Sequence, residues 1–260
     1  MTFSIHPDVV GGLALIAGAW TGAWLARGGR PRRGETAAFA LALVALLAML
    51  NGPVHDLSER SLFSAHMVQH LVLTLVVPPL LLAGTPAWMI DGLLRTFRLA
   101  GLARALTRPV QALALYSVIL VVWHLPAAYG LALDVHAWHI IQHLTMIAGA
   151  TIAWWPVLAR SVSAPALHYG AQILYLFAFG FPMTAVAAMI TGADTVLYPF
   201  YEQAPRVIAL TALEDQRLGG VLMWVPAGLV PVLAFSIAFF RWAAAEPDTD
   251  ELATPATPRA

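Results

Sequence analysis

The chain has 260 residues, of which 60% are hydrophobic and 11% are charged, and its formal net charge is zero. A soluble domain carries about 25% charged residues, so this composition indicates a membrane protein and gives no sign of nucleic-acid binding. Cysteine is absent, which excludes disulfides, thiolate metal ligands and cysteine nucleophiles.

Seven apolar segments are long enough to cross a membrane, for which a helix needs about 20 residues. In chain order they are residues 9–26, 36–54, 65–83, 109–128, 138–158, 170–191 and 218–241. Residues 92–108 are basic and interrupted by Gly101, so we expect a broken helix on the inner surface, attracted to anionic lipid. Residues 243–260 are rich in Pro, Thr and acids, and we expect a disordered tail after a membrane domain of residues 1–242.

The arginines indicate how these segments cross the membrane, because short cytoplasmic connections carry an excess of basic residues. One set of alternate connections holds only Arg60, Arg206 and Arg217. The other set holds Arg27, Arg30, Arg32, Arg33, Arg95, Arg98, Arg104, Arg108, Arg160 and Arg241. The sequence therefore predicts an all-α bundle of seven transmembrane helices, with the N-terminus outside and the C-terminus in the cytoplasm.

The histidines segregate in this predicted topology, and only His168 falls on the inner side. The outer side receives His6, His55, His66, His70, His124, His136, His139 and His143. The stretch HMVQHL at 66–71 also recurs as HIIQHL at 139–144, an offset of 73 residues, and Pro53 meets Pro126 at the same offset. This pattern predicts that the second and third helices repeat as the fourth and fifth.

Each copy of the repeated motif places two imidazoles and an amide on one helix face, because residues i, i+3 and i+4 lie together. Polar side chains within membrane helices are costly and usually face the bundle interior, where a function is the first hypothesis. Two imidazoles four residues apart can bind one ion. Alternatively, they form hydrogen bonds between helices in a purely structural assembly scaffold.

The residue types leave the ligand open. Imidazole suits zinc, copper and iron, and thioether favours Cu(I), so a Cys-free, histidine-rich site supplemented by methionine fits copper best. Zinc and a haem between the histidines are the alternatives. A transporter is a further alternative, since Pro126, Pro182 and Pro226 can break helices along an ion path. No P-loop, G-x-S-x-G or H-E-x-x-H motif occurs, so the sequence encodes no soluble-type hydrolase or NTPase.

Three motifs in order resemble one known family. They are HMVQHLVLTLVVPPLLLAGTP, WHLPAAYGLALDVHAWHIIQHLTMIAGATIAWWPV and EDQRLGGVLMWVP, and they resemble the CtaG-like family of bacterial cytochrome c oxidase assembly factors linked to caa-type oxidases. The resemblance covers residues 36 to 241. It implies a polytopic protein of the bacterial inner membrane that is not an enzyme, with a haem-copper oxidase subunit and a periplasmic copper chaperone as partners.

A role in copper delivery is commonly proposed for this family. The family motifs fall on the histidine pair of the third helix, on the W-H-x-P motif, on the second histidine cluster and on D-Q-x-x-G-G. Where part of the family carries an acidic residue, this chain has Gln142. We therefore expect an outward-facing site that binds copper as Cu(I), or alternatively zinc or haem, through His66, His70, His124, His139, His143 and Asp215.

Overall fold

The structure is a computed structural model that describes residues 5–27 and 30–245. Those residues form fourteen α-helices and one π-helical turn, with none in a β-strand, so the predicted all-α fold is confirmed. The helices are α1 (Pro7–Arg27), α2 (Arg33–Leu50), α3 (Pro53–Arg60), α4 (Phe63–Leu71), α5 (Val77–Gly84), α6 (Ala87–Thr96), α7 (Ala100–Leu106), α8 (Pro109–His124), α9 (Pro126–Asp134), α10 (His136–Leu158), α11 (Tyr169–Phe179), α12 (Phe181–Thr191), α13 (Phe200–Gln203) and α14 (Ala212–Ala243). Most of the predicted tail, residues 246–260, lies outside the described residues.

Within the described ranges, five helical segments are long and apolar enough to cross a membrane. They are Pro7–Arg27, Arg33–Leu50, Phe63–Gly84, Tyr169–Thr191 and Ala212–Ala243. A sixth is added if α7 and α8, bent by 76° at their junction, form one broken span. The remaining predicted span is α10, whose 23 residues are long enough but less apolar, because its first turns carry three histidines and Gln142. The seven-span count and the orientation therefore stay predictions.

The helix boundaries follow the offset of the sequence repeat. The short helices α3 and α9 begin at Pro53 and Pro126, and the long helices that follow begin at Phe63 and His136, 73 residues apart in both cases. Proline favours the first turn of a helix, where its missing N–H costs nothing. Each copy of the histidine motif is thus preceded by a short helix that starts at a proline.

The helix that carries the first histidine pair changes its winding directly after His70. Residues Val72–Val76 form a π-helical turn between α4 and α5. Pro78 has no N–H, so it cannot bond the carbonyl of Thr74 as a regular helix requires. That carbonyl instead accepts a hydrogen bond from Trp154 Nε1 of α10, at 3.0 Å. The proline therefore releases a backbone acceptor that ties the two histidine-bearing helices together.

The longest helix, α14, packs against α4, α11 and α12. Its contact with α4 is close, because a Cβ atom built on Gly219 would lie 2.5 Å from the ring of Phe63. A Cβ atom on the adjacent Gly220 would lie 2.3 Å from the hydroxyl of Thr191 in α12. Glycine at both positions lets three helices approach one another.

The basic segment 92–108 forms two short helices, α6 and α7, as the sequence predicts, but the position of the break differs. Arg98, between the two helices, has a φ of 54°, the left-handed region that ends a helix. Gly101 lies inside α7 with open space around it. The chain therefore breaks at Arg98 and not at the glycine.

Candidate metal centre

Five predicted ligand residues come together as one buried cluster of imidazole rings. They are His66, His70, His124, His139 and His143, whose exposed fractions lie between 0% and 6%. Helices α4 and α10 supply two rings each, and the end of α8 supplies the fifth. The ring centroids of His66 and His139 are 5.5 Å apart, and those of His70 and His143 are also 5.5 Å apart. His124 joins through His70, at 5.6 Å.

The hydrogen bonds of His66 fix which of its nitrogens carries the proton. The hydroxyl of Tyr201 lies 2.9 Å from the carbonyl of Ser58, which can only accept, so Tyr201 donates its one proton there. The Tyr201 oxygen therefore accepts from Nδ1–H of His66, at 3.1 Å. A neutral imidazole carries only one proton. Nε2 of His66 is thus unprotonated, and in the metal-free chain it accepts from Nε2 of His70, at 2.9 Å.

The same reasoning applies to two other rings of the cluster. Nδ1 of His139 lies 2.7 Å from Oε1 of Glu59, and Nδ1 of His124 lies 2.7 Å from the carbonyl of Leu120. A carboxylate and a carbonyl only accept, so Nδ1 is the protonated nitrogen in both rings. Nε2 of His124 is buried and has no hydrogen-bond partner. Three imidazoles therefore offer an unprotonated Nε2, the form that binds a metal.

The spacing of the nitrogens fits a small ion. Nε2 of His66 lies 2.9 Å from Nε2 of His70, and Nε2 of His139 lies 3.2 Å from Nε2 of His143. Ligand nitrogens around a tetrahedral ion with bonds of about 2.0–2.1 Å are about 3.3 Å apart. His66, His70 and His143 each offer a ligand atom, all within 4.8 Å of one another. The residues present therefore suit an imidazole-bound metal ion.

Asp215, the sixth predicted ligand, is buried but bonded elsewhere. Its carboxylate accepts hydrogen bonds from the backbone N–H of Phe63 at 2.7 Å and of Ser64 at 3.3 Å, and from the Ser64 hydroxyl. These groups begin helix α4, where free N–H groups and the helix dipole favour an anion. The carboxylate is therefore held by the start of α4, and a role for Asp215 as a metal ligand stays a prediction.

A second polar group lies next to the cluster and consists of His6, His55 and Glu59, which we call the rim group. Its possible ligand atoms also lie within 4.8 Å of one another. The rim group, His136, His139 and His143 line a cavity of about 420 Å³, whose other walls are Asp8 and apolar residues of α1, α2, α5 and α10. The imidazole cluster therefore adjoins this cavity directly through His139 and His143, beside the rim group.

The rim group has a defined charge at neutral pH. Burial lowers the pKa of His55 from 6.5 to about 4, an effect that the nearby Glu59 only partly opposes. Burial also acts to raise the pKa of Glu59, but the hydrogen bond from His139 and the neighbouring His55 lower it by more. His55 is therefore neutral and Glu59 is ionised at pH 7.

Comparison with known proteins matches residues 18–245 to the family of the cytochrome c oxidase caa3 assembly factor. The chain belongs to this family. The resemblance seen in the motifs is thereby confirmed.

Curated relatives say less about function. Uncharacterised proteins of Mycobacterium bovis and Mycobacterium tuberculosis are both 22% identical over 208 residues. The alignment covers 70% of this chain but only 30% of each relative, so those proteins are much longer. No solved structure shows a significant match.

Two neighbours of the cluster were missed in the sequence. Glu59 stands four residues after His55 in HDLSER, the spacing that places both on one helix face, and their side chains are 3.2 Å apart. That spacing is the signal that would have found it. The second neighbour, Tyr201, is buried and bonds His66. No sequence spacing connects Tyr201 to His66, 135 residues away.

Proposed function

We propose that the chain binds copper, as Cu(I), at the buried imidazole cluster and delivers it to a haem-copper oxidase during assembly. One observation carries the proposal: five buried imidazoles pack into one cluster, in which three rings offer ligand atoms within 4.8 Å of one another and hydrogen bonds leave Nε2 of three rings unprotonated. Family membership supports the oxidase as the destination. Imidazole without thiolate suits copper and zinc, and an assembly factor for a copper enzyme favours copper.

The spacing favours an ion over haem. A haem held between α4 and α10 would place its macrocycle between two imidazoles, one from each helix. In this structure rings from the two helices contact one another directly, and the ring centroids of His66 and His139, and of His70 and His143, are 5.5 Å apart. All five rings are also buried against one another. This packing supports a site for one ion held as cargo.

Delivery also requires that the ion can enter and leave. The cavity beside the rim group reaches His139 and His143, which supports this group as the side of exchange. The predicted topology puts it on the outer face of the bacterial inner membrane. A periplasmic copper chaperone as donor and an oxidase subunit as acceptor are the partners that this arrangement suits.

The first test is the metal content of the protein purified in detergent without a His-tag. Copper, zinc and iron are measured by mass spectrometry, before and after loading with Cu(I). We expect about one copper per chain in the wild type and none in a variant with His66, His70, His139 and His143 replaced by Ala. The control is His168→Ala, an exposed histidine that caps α11 and lies outside the cluster.

A second readout uses cells that carry His66→Ala or His139→Ala in place of the wild-type chain. We expect reduced copper content and activity of the oxidase, with the variant chain present in the membrane in normal amount. Absence of bound metal in the loaded wild type, or normal oxidase copper in both variants, would refute copper delivery. A reduced-minus-oxidised spectrum with sharp α-bands would support haem instead.

A further inference from the structure

A series of hydrogen bonds connects the backbone of α2 to the imidazole cluster, and Gln69 of α4 makes the first of them. The side-chain Nε2 of Gln69 lies 2.6 Å from the carbonyl of Met49. A carbonyl only accepts, so this atom is the amide nitrogen and not the oxygen. The second N–H of the same nitrogen points to Nδ1 of His55, at 3.0 Å, while the Ser58 hydroxyl lies 3.0 Å from Gln69 Oε1 and 2.7 Å from the carbonyl of His55.

The direction of these bonds determines the tautomer of His55. Because Nδ1 accepts from Gln69, the proton of the neutral ring lies on Nε2. Nε2–H then donates to Oε1 of Glu59, at 3.2 Å. The same carboxylate oxygen accepts Nδ1–H of His139, at 2.7 Å. Glu59 therefore receives one N–H from each side and links the rim group to the cluster.

This protonation pattern decides between two roles for the rim group. The spacing of His6, His55 and Glu59 would allow a metal ion. A ligand imidazole needs an unprotonated nitrogen facing the ion, and His55 presents a protonated Nε2 to Glu59. The rim group therefore orients other residues more readily than it binds metal.

We propose that Glu59 is the positioning residue of the cargo site, which holds His139 with Nε2 unprotonated and supplies negative charge beside a bound cation. The inference rests on the proposed function for its charge role, since only a bound cation needs compensation. A carboxylate on the second nitrogen of a metal-bound histidine fixes its tautomer and raises its basicity. The neutral imidazoles contribute no charge, and an uncompensated cation in a buried site is costly.

The two contributions of Glu59 can be separated by two substitutions. Glu59→Gln keeps an oxygen that accepts from His139 but removes the charge. Glu59→Ala removes both the acceptor and the charge. Loss of charge weakens a divalent ion more than a monovalent ion, because the attraction scales with the charge of the ion, whereas loss of orientation weakens both equally.

The experiment measures the affinities of the purified protein for Ag(I), as a redox-inert monovalent probe, and for Zn(II), by competition with chromophoric chelators. We expect Glu59→Ala to weaken both by about 10- to 100-fold. Glu59→Gln should weaken the binding of Zn(II) by a larger factor than the binding of Ag(I). Glu202→Gln, the same change at an exposed glutamate of α13, should change neither affinity. Wild-type affinities in Glu59→Ala would overturn the proposal.

A second readout does not depend on metal. Nitrogen-15 NMR of histidine-labelled, metal-free protein reports which ring nitrogen is protonated. We expect His139 to be protonated at Nδ1 in the wild type and in Glu59→Gln, and to lose this preference in Glu59→Ala. An unchanged tautomer in Glu59→Ala would refute the positioning role even if metal binding is confirmed. If the wild type binds no metal, the copper proposal fails while this result still decides the role of Glu59.

Discussion

The two copies of the H-x-x-Q-H motif have similar helices but different surroundings. In the first copy, Gln69 bonds the carbonyl of Met49, Nδ1 of His55 and the hydroxyl of Ser58. In the second copy, Gln142 is fully buried, and neither its side-chain oxygen nor its nitrogen has a partner. Identical amides at corresponding positions thus have opposite degrees of hydrogen bonding.

The short helices explain this difference. Helix α3 carries His55, Ser58 and Glu59, and helix α9 carries Ala128, Leu131 and Ala132 at the positions 73 residues later. The first copy therefore has polar partners for its own amide, and through Glu59 it also bonds His139 of the second copy. The repeat preserves the backbone and the histidines, while a side chain of one short helix, Glu59, determines the protonation of His139.

Replacing the two glutamines should give the largest difference in stability between the two copies. Gln69→Met should lower the free energy of unfolding by about 1–3 kcal/mol for each partner left buried and unpaired. Gln142→Met removes two polar atoms that have no partner, so we expect no loss or a small gain of stability. Thermal unfolding in detergent measures both. Equal destabilisation by the two substitutions would show that Gln142 has a partner among bound waters or ions.

Substitution of a closely packed glycine, Gly219 of α14 or Gly149 of α10, should give the next largest change in stability. Gly219→Ala would put a Cβ atom 2.5 Å from the Phe63 ring, which is itself stacked on Tyr198, so neither side can yield easily. We expect a loss of about 1–3 kcal/mol. In the second copy, a Cβ atom on Gly149 of α10 meets the flexible end of Ile119, at 2.8 Å. Gly149→Ala should therefore cost less, and urea or thermal unfolding of both variants tests the order.

A change of pH should have a smaller effect on stability. It acts on the first copy, whose amide, Gln69, bonds the titratable ring of His55. In the folded chain His55 stays neutral down to about pH 4, whereas in the unfolded chain it takes up a proton near 6.5. The unfolded state thus binds more protons in this range, and stability falls as the pH decreases from about 6.5 to about 4. His55→Gln should flatten this part of the stability profile relative to the wild type. Parallel profiles would contradict the prediction.

The sequence predicts the parts of the site that depend on local spacing. Histidines four residues apart lie on one helix face, and the repeat pairs α4 with α10, so four of the clustered histidines follow from the pattern. The role of Asp215 does not follow, because its partners are backbone N–H groups about 150 residues earlier. Burial of Tyr201 and the polar function of α3 also depend on tertiary contacts. Hydropathy does not identify α10 as a membrane span in the structure, because the histidines of the cluster lower the mean hydropathy of this helix.

The bond between Asp215 and the start of α4 has a mechanical consequence. It fixes the first turn of α4 to the first turn of α14, and His66 lies within that turn or the next. His139 belongs to α10, which packs on α8 and α9 and, further along, on α5 and the π-helical turn. The imidazole cluster thus lies beside the one end of α4 that α14 holds, and a tilt of α14 would move His66 relative to His139. A protein that docks on α14 would therefore act directly on the distance between these two histidines.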